Sequence, residues 1–103
     1  MSRVKGTKDR MRLAVFRSNR HIYAQIINDF EGIVVTGVSS CSPELKKKDM
    51  KNMKEIAKEV GKLIAKKAKA KEVNKVVFDR KGYKFHGSVK ELAEGAREGG
   101  LDF

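Results

Sequence analysis

The sequence is poor in cysteine, histidine, proline and tryptophan. Its 103 residues include one Cys, two His, one Pro and no Trp. A lone cysteine cannot form an intramolecular disulfide, which is typical of a reducing compartment. We expect Cys41 to be an ordinary residue at a loop or strand end, with a reactive thiol as the alternative. So few sulfur and imidazole ligands argue against a zinc site, and no cofactor or metal is predicted.

Two further absences concern membranes and nucleotide chemistry. No run of about 18 apolar residues occurs, so no segment is expected to span a bilayer. The basic N-terminal stretch lacks the apolar core of a secretory signal. Neither a Walker loop nor a G-x-G-x-x-G after a strand is found. These absences favour a cytoplasmic protein that is not a nucleotide-dependent enzyme.

Positive charge is what the sequence has in excess. Lys and Arg number 24 against 13 Asp and Glu, which gives a formal charge of +11. Such an excess on a chain of one-domain length is typical of a protein with a polyanionic partner. Nucleic acid is the leading candidate, and an anionic membrane surface is the second.

Residues 1–11 are predicted to form a flexible basic arm, and residues 12–103 a single domain. The first twelve residues contain too few apolar side chains to bury a core of their own. We expect the arm to contact RNA, with a merely solvated terminus as the alternative. The cationic side chains of this segment are those of Arg3, Lys5, Lys8, Arg10 and Arg12.

The domain is predicted to have an α/β fold built on a mixed sheet. Alternating apolar residues at 13–17 and 22–27, around a short polar turn, indicate a hairpin. The nearly continuous apolar run 33–38 indicates a third strand of an antiparallel meander, and we expect it to be covered on both sides. Residues 75–78 add a strand after a helix, so a parallel pair with a right-handed connection is expected.

The first of two helices flanking this sheet is predicted after Pro43, with Asn52 or Asp49 as its N-cap. Its apolar residues recur at the three-and-four spacing of one helix face. The opposite, lysine-rich face is interpreted as solvated, with RNA contact as the alternative. The residues predicted to be buried are Met53, Ile56, Ala57, Val60, Leu63, Ile64 and Ala68.

The second helix follows the fourth strand and is predicted to end at Gly99–Gly100. Ser88 and Glu91 stand three apart, which is the spacing of a capping box at a helix start. Between 91 and 103 the helix carries four acids against one base, so its body is expected to face away from a polyanion. Its predicted buried stripe is Val89, Leu92, Ala93 and Ala96.

The stretch 78–103 combines a strand, a basic loop and a helix N-terminus. That order directs backbone N–H groups and a partial positive charge at whatever lies above the sheet edge. Because the surrounding residues are cationic, an RNA phosphate is the expected ligand. These residues are Arg80, Lys81, Lys84, His86 and Lys90.

Three polar regions are expected to meet, two or all three together, at one edge of the sheet. They are the arm with 17–21, the Ser39–Ser40 corner, and 79–90. Aromatic residues among them offer faces on which unpaired bases stack: Tyr23, Tyr83 and Phe85. The alternative is that Tyr83 and Phe85 pack onto the sheet, and we expect at least one of them to do so.

His86 and Asp79 raise a catalytic alternative. A nuclease or phosphate-transfer enzyme would require clustered carboxylates that bind Mg²⁺, and Asp79 has no evident companion in the sequence. We therefore expect His86 to be structural or to contact RNA, Asp79 to fix its loop by local hydrogen bonds, and the protein not to be an enzyme.

Two separated motifs resemble one family closely. The first is 17–25, Arg-Ser-Asn-Arg-His-Ile-Tyr-Ala-Gln. The second comprises Phe-Asp-Arg at 78–80, Gly-Tyr-Lys at 82–84, His-Gly at 86–87 and Ala-Arg-Glu-Gly-Gly-Leu at 96–101. They resemble the bacterial-type 5S-rRNA-binding proteins of the large ribosomal subunit, the eighteenth in the large-subunit series.

The resemblance implies a non-enzymatic α/β protein that binds 5S rRNA and helps attach it to 23S rRNA in the central protuberance. Neighbouring large-subunit proteins are implied as further partners, and the free protein is expected to be a monomer. A general nucleic-acid-binding protein without 5S specificity is the alternative. Besides the arm, the implied rRNA-binding residues are Arg17, Asn19, Arg20, His21, Tyr23, Gln25, Ser39, Ser40, Arg80, Lys81, Tyr83, Lys84, Phe85 and His86.

Three positions depart from the usual pattern of the family. The family often has Gly, Tyr and Arg where this chain has Lys81, Phe85 and Ser88. The absent arginine removes one expected phosphate contact, and Lys81 places a positive charge nearby. Phe85 keeps a stacking face but lacks the hydroxyl.

Overall fold

The computed structural model describes residue 6 and residues 10–18, 21–46 and 52–103. Within these ranges four strands form one sheet, in the order β3-β2-β1-β4. The first three are antiparallel neighbours, and β4 runs parallel to β1. This confirms the predicted mixed sheet. The strands are β1 (Met11–Arg17), β2 (Ile22–Asn28), β3 (Ile33–Ser39) and β4 (Val76–Asp79).

Two long helices accompany the sheet, as predicted: α2 (Met53–Ala70) and α3 (Ser88–Glu98). A short helix, α1 (Pro43–Lys46), lies where only a loop was expected. Among the described helices, none combines the length and the apolar character that crossing a membrane requires.

The period-two alternation of the strands separates two faces of the sheet. Leu13 pairs with Ile26 and Val15 with Ala24, and all four are fully buried in one cluster with the apolar residues of α2 and α3. The helices therefore cover this face. The opposite face, here called the open face, carries Arg12, Ala14, Phe16, Tyr23, Gln25, Val77 and Asp79.

The predicted stripe of α3 is fully buried, and so are four of the seven residues predicted for α2, whereas Met53, Ile56 and Leu63 are partly buried and pack against the core. Helices α2 and α3 approach each other through glycine. A Cβ at Gly61 would overlap the carbonyl oxygen of Leu92, and a Cβ at Gly95 would overlap that of Lys58. Such close backbone contact is possible only where neither helix carries a side chain. Glu98 of α3 also pairs with Lys58 at 3.3 Å, and this contact raises the pKa of the lysine.

The expectation that the third strand is covered on both sides is wrong. β3 lies at the edge of the sheet, where Ile33 is 49% and Val34 55% exposed. Apolar and β-branched residues favour a strand at any position in a sheet, so the run did not distinguish an edge from a centre. A register shift between Ile26 and Ile27 interrupts the pairing of β3 with β2.

One predicted cap is present and the other is not. The Asn52 Oδ1 accepts from the Glu55 amide at 3.0 Å; Asp49, the alternative, lies outside the described residues. The predicted Ser88 capping box is wrong, because Gly87 is the N-cap of α3 and no side chain caps this helix. Gly87 has φ 59° and ψ −129°, which glycine adopts readily, and Ser88 becomes the first helical residue.

Candidate nucleic-acid interface

Strands β1, β3 and β4 end, and β2 begins, at the same end of the sheet. The described residues 17–18 and 21–23, together with 39–42 and 79–90, lie at these strand ends and are here called the loop end. Hydrogen bonds connect the three segments directly, as described below. The predicted convergence of the polar loops at one sheet edge is therefore confirmed, whereas the arm joins the sheet elsewhere.

Ser40 holds the β1–β2 turn against the end of β3. Its hydroxyl lies 3.0 Å from the Nδ1 of His21 and accepts from the Ile22 amide at 3.2 Å. The Ser39 hydroxyl accepts from the Cys41 amide at 3.1 Å. Both serines therefore shape the corner. The Cys41 Sγ lies 3.1 Å from the same His21 nitrogen.

Tyr83 connects the 79–90 segment to the end of β1. Its hydroxyl accepts from the Arg17 amide at 3.1 Å and donates to the Arg17 carbonyl at 3.0 Å. The guanidinium of Arg17 lies 5.4 Å from the centre of the Tyr83 ring. Tyr83 packs against the core, as expected for at least one of the two loop aromatics, whereas Phe85 remains 41% exposed.

Asp79 anchors the start of the same loop, as expected. Its Oδ1 accepts from the Lys81 amide at 2.8 Å, and its Oδ2 accepts from Arg12 at 2.7 Å. Lys81 has φ 54°, a conformation that costs a side-chain-bearing residue some strain. The Lys81 ammonium lies 5.1 Å from the centre of the Phe16 ring.

The remaining cations of the loop end face outward. Arg80, Lys84, His86 and Lys90 are exposed, and none of them forms an ion pair within the described part of the chain. Positive charge without a carboxylate partner attracts phosphate more strongly than charge already paired. Two further predicted contacts, Asn19 and Arg20, lie outside the described residues.

Tyr23 and Gln25 lie on the open face beside the end of β3. With Ser39 they line a shallow depression of about 330 Å³. Tyr23 is 37% exposed, so its ring is accessible from outside.

Arg10 and Arg12 lie at the opposite end of β1 from the loop end. Arg10 donates to the carbonyl oxygens of Val76 and Asp102, each at 3.0 Å. Arg12 donates to both oxygens of Asp29 at 3.0 Å and also to Asp79. The Asp29 hydrogen bond is the main cause that raises the pKa of Arg12 above its ordinary value.

Residues of the predicted arm also reach Asp29. The Gly6 amide donates to its Oδ2 at 2.6 Å, so Gly6, Arg10 and Met11 of the range 1–11 all contact the domain. Arg3, Lys5 and Lys8 lie outside the described residues. No local pattern indicates this role of Asp29, because its partners Arg12 and Gly6 are 17 and 23 positions away.

The described residues include no group of three or more His, Cys, Asp or Glu placed to hold a metal ion. Asp79 is fully buried and faces Arg12 and the Lys81 amide, whereas His86 is exposed.

We expect Tyr83→Phe to lower the free energy of unfolding by about 1–2 kcal/mol, because it removes two hydrogen bonds to Arg17. Urea denaturation measures the change. Tyr23→Phe is the matched control, since the Tyr23 hydroxyl has no hydrogen bond within the described ranges. Equal stability losses in the two variants would contradict the role given to the Tyr83 hydroxyl.

The fold and the loop end together define a small basic α/β protein with a rigid cationic surface, an arrangement typical of RNA-binding proteins. Over residues 1–103 the chain matches the family described as ribosomal L18 of archaea, bacteria, mitochondria and chloroplasts. The chain belongs to this family.

Individual relatives agree with this assignment. The chain is 56% identical to large ribosomal subunit protein uL18 of Kosmotoga olearia, with 99% of this chain and 84% of the relative covered. It is 58% identical to uL18 of Thermotoga petrophila, covering 98% and 84% of the two chains. The identity to uL18 of Sorangium cellulosum is 52%, over 98% and 86%.

Family membership confirms the family predicted from the two sequence motifs. The chain is a ribosomal protein of the large subunit, and its location is the ribosome in the cytoplasm. The family consists of ribosomal structural proteins and is not an enzyme family.

Proposed function

We propose that this protein binds 5S rRNA and helps attach it to 23S rRNA in the central protuberance of the large subunit. The observation that carries the proposal is the convergence of three loops into one cationic surface at the loop end. Membership of the ribosomal L18 family supports a role in the ribosome. The 5S specificity rests on the resemblance of 17–25 and 78–101 to the family motifs.

Binding is proposed to depend on positioned positive charge. Lys and Arg side chains neutralise phosphates and release counterions, so affinity falls steeply as salt rises. Asp79, Tyr83 and Ser40 hold the loops in place before RNA arrives, which lowers the entropic cost of association. Tyr23 and Phe85 present exposed rings on which unstacked bases pack.

The arm is proposed to extend the interface from the other end of β1. Its cations Arg3, Lys5 and Lys8 would reach rRNA, with the domain 12–103 supplying the loop end. Neighbouring large-subunit proteins would complete the surroundings, and the free protein would be a monomer. No chemical step is assigned to any residue.

The test is a titration against 5S rRNA, a size-matched structured RNA and duplex DNA across a salt series. We expect preference for 5S rRNA to persist at moderate salt. Arg80→Ala should weaken binding by about 1–3 kcal/mol without lowering thermal stability. Arg97→Ala, the same change beside the acidic side of α3, should leave affinity unchanged.

Equal binding to all three nucleic acids, lost together as salt rises, would contradict the proposal. The protein would then be a general nucleic-acid-binding domain. Loss of folding in Arg80→Ala would instead mean that this residue has a structural role.

A further inference from the structure

The turn between β2 and β3 carries a fixed and largely buried carboxylate. Asp29 follows β2 directly, and its side chain is only 12% exposed. A buried carboxylate is costly unless it is paired. Arg12 provides the pairing by donating from Nε and Nη2 to both carboxylate oxygens, each at 3.0 Å. This two-point contact fixes the orientation of the carboxylate as well as its position.

Gly6 of the arm lies against this carboxylate. Its amide donates to the Asp29 Oδ2 at 2.6 Å, and the residue is buried. A Cβ at position 6 would lie 3.0 Å from both the Arg10 carbonyl oxygen and the Asp29 Oδ2, and 3.1 Å from the Arg12 amide nitrogen. These distances are shorter than ordinary contact between heavy atoms. The three neighbours therefore form a seat that glycine occupies without crowding, here called the Gly6 seat.

The Gly6 seat shortens the tether of the cations that precede it. Arg3 stands three residues before Gly6, and Lys5 one residue before it. An extended chain spans at most about 3.6 Å per residue, so the Gly6 seat limits Arg3 to within about 11 Å of Gly6. If Gly6 were released, the nearest fixed residue would be Arg10, which is bound to two carbonyl oxygens. The reach of Arg3 would then grow to about 25 Å.

We infer that Asp29 is a positioning residue for RNA binding. It acts through Gly6, because holding this residue confines the arm cations to a small volume beside the sheet before RNA arrives. Cations that are confined in advance lose less entropy when they meet phosphates. The inference rests on the proposed contact between the arm and rRNA, and it gives an acidic residue a favourable role in binding a polyanion.

The sign of the effect distinguishes this role from plain electrostatics. Removing a carboxylate from a chain with a formal charge of +11 strengthens the attraction to RNA if only charge matters. Removing a positioning residue weakens binding instead. Glu31 allows the comparison within the same turn, because it is exposed and its side chain forms no ion pair with any residue that the structure describes.

The first test compares the 5S rRNA affinity of the unchanged chain with that of three variants at one salt concentration. We expect Asp29→Ala to bind about five- to tenfold more weakly, the scale of ordering two long side chains. Asp29→Asn removes the same charge but keeps an oxygen for the Gly6 amide, so it should recover most of the affinity. Glu31→Ala should bind equally well or up to about threefold more tightly. Arg12 keeps Asp79 as a partner in every variant, so the fold should persist.

The second test is a double-mutant cycle with the arm cations. Arg3→Gln together with Lys5→Gln removes the charges that the Gly6 seat is inferred to position. In that background Asp29→Ala should no longer weaken binding, whereas a purely structural loss would remain. Gly6→Val changes no charge and leaves the Arg12–Asp29 pair intact, but its side chain cannot enter the Gly6 seat. With the arm cations present it should weaken binding about as much as Asp29→Ala does.

Three outcomes would overturn the inference. They are equal affinities of Asp29→Ala and Glu31→Ala, a loss in Asp29→Ala that persists without the arm cations, and normal binding by Gly6→Val. The last keeps the inference open to refutation even if Asp29→Ala does not fold. Any of these results beside intact 5S preference leaves the proposed function standing. If instead the unchanged chain binds every RNA alike and the cycle still shows the arm-dependent loss, the role of Asp29 is supported and the 5S assignment fails.

Discussion

Arg12→Met should lower the free energy of unfolding by about 3 kcal/mol. Arg12 lies between Asp29 and Asp79, and Asp79 is fully buried. Removing the guanidinium takes from both carboxylates the charge-assisted hydrogen bonds that Arg12 donates. This expected loss of stability is at the lower end of the range measured when one partner of a buried ion pair is removed, because 17% of the Arg12 side chain is exposed. Urea denaturation of the purified protein measures it.

Two variants make this prediction specific. Arg80→Met removes the same charge from an exposed site and should change stability by less than about 0.5 kcal/mol. Adding Asp29→Asn and Asp79→Asn to Arg12→Met should restore most of the loss. Asparagine keeps an oxygen for the Gly6 and Lys81 amides and carries no charge. A loss that persists in the triple variant would mean that Arg12 stabilises through packing.

Gly95→Ala should destabilise the protein by about 1–3 kcal/mol, the usual cost of overpacking. At an exposed helix position the same change would stabilise the protein by about 1 kcal/mol. The sign of the stability change therefore distinguishes an exposed position from a close contact between helices. Here the new Cβ would overlap the carbonyl oxygen of Lys58, and α3 must move away from α2 to admit it. Thermal and urea denaturation both measure the effect.

Gly37→Ala is the matched control for this prediction. A Cβ at Gly37 would meet its nearest neighbours at 3.5 Å, which is ordinary contact, so little destabilisation is expected. Gly61→Ala should resemble Gly95→Ala, and the double variant should lose less than the sum. The separation forced by the first methyl makes room for the second. Full additivity would show that the two contacts relax independently.

Much of the fold was predictable because it depends on local patterns. Period-two alternation located β1 and β2, and the three-and-four spacing of apolar residues located both long helices. Asn52 is the N-cap of α2, as its residue type and its position three residues before Glu55 predicted. At the loop end, the charged segments were recognisable because they follow directly from predicted strand ends.

The features that were missed depend on residues distant in sequence. Gly61 and Gly95 contribute to the contact of α2 with α3 in a way that no local pattern indicates, because their role is visible only when the helices are together. Arg12 was interpreted as part of a cationic arm, whereas the structure pairs it with carboxylates 17 and 67 positions away. Ser88 failed as a cap because Gly87 takes a backbone conformation that spacing does not reveal.

The parallel pairing of β1 with β4 also sets an order of events during synthesis. The β1–β2–β3 meander can pair as soon as residue 39 has been made, because all its contacts are local. β1 cannot meet β4 until residue 79 exists, and Arg10 cannot reach the Asp102 carbonyl until almost the whole sequence given has been translated. Contacts between such distant positions form late. The loop end therefore joins two halves of the chain, since residues 17–18, 21–23 and 39–42 precede α2 whereas 79–90 follow it.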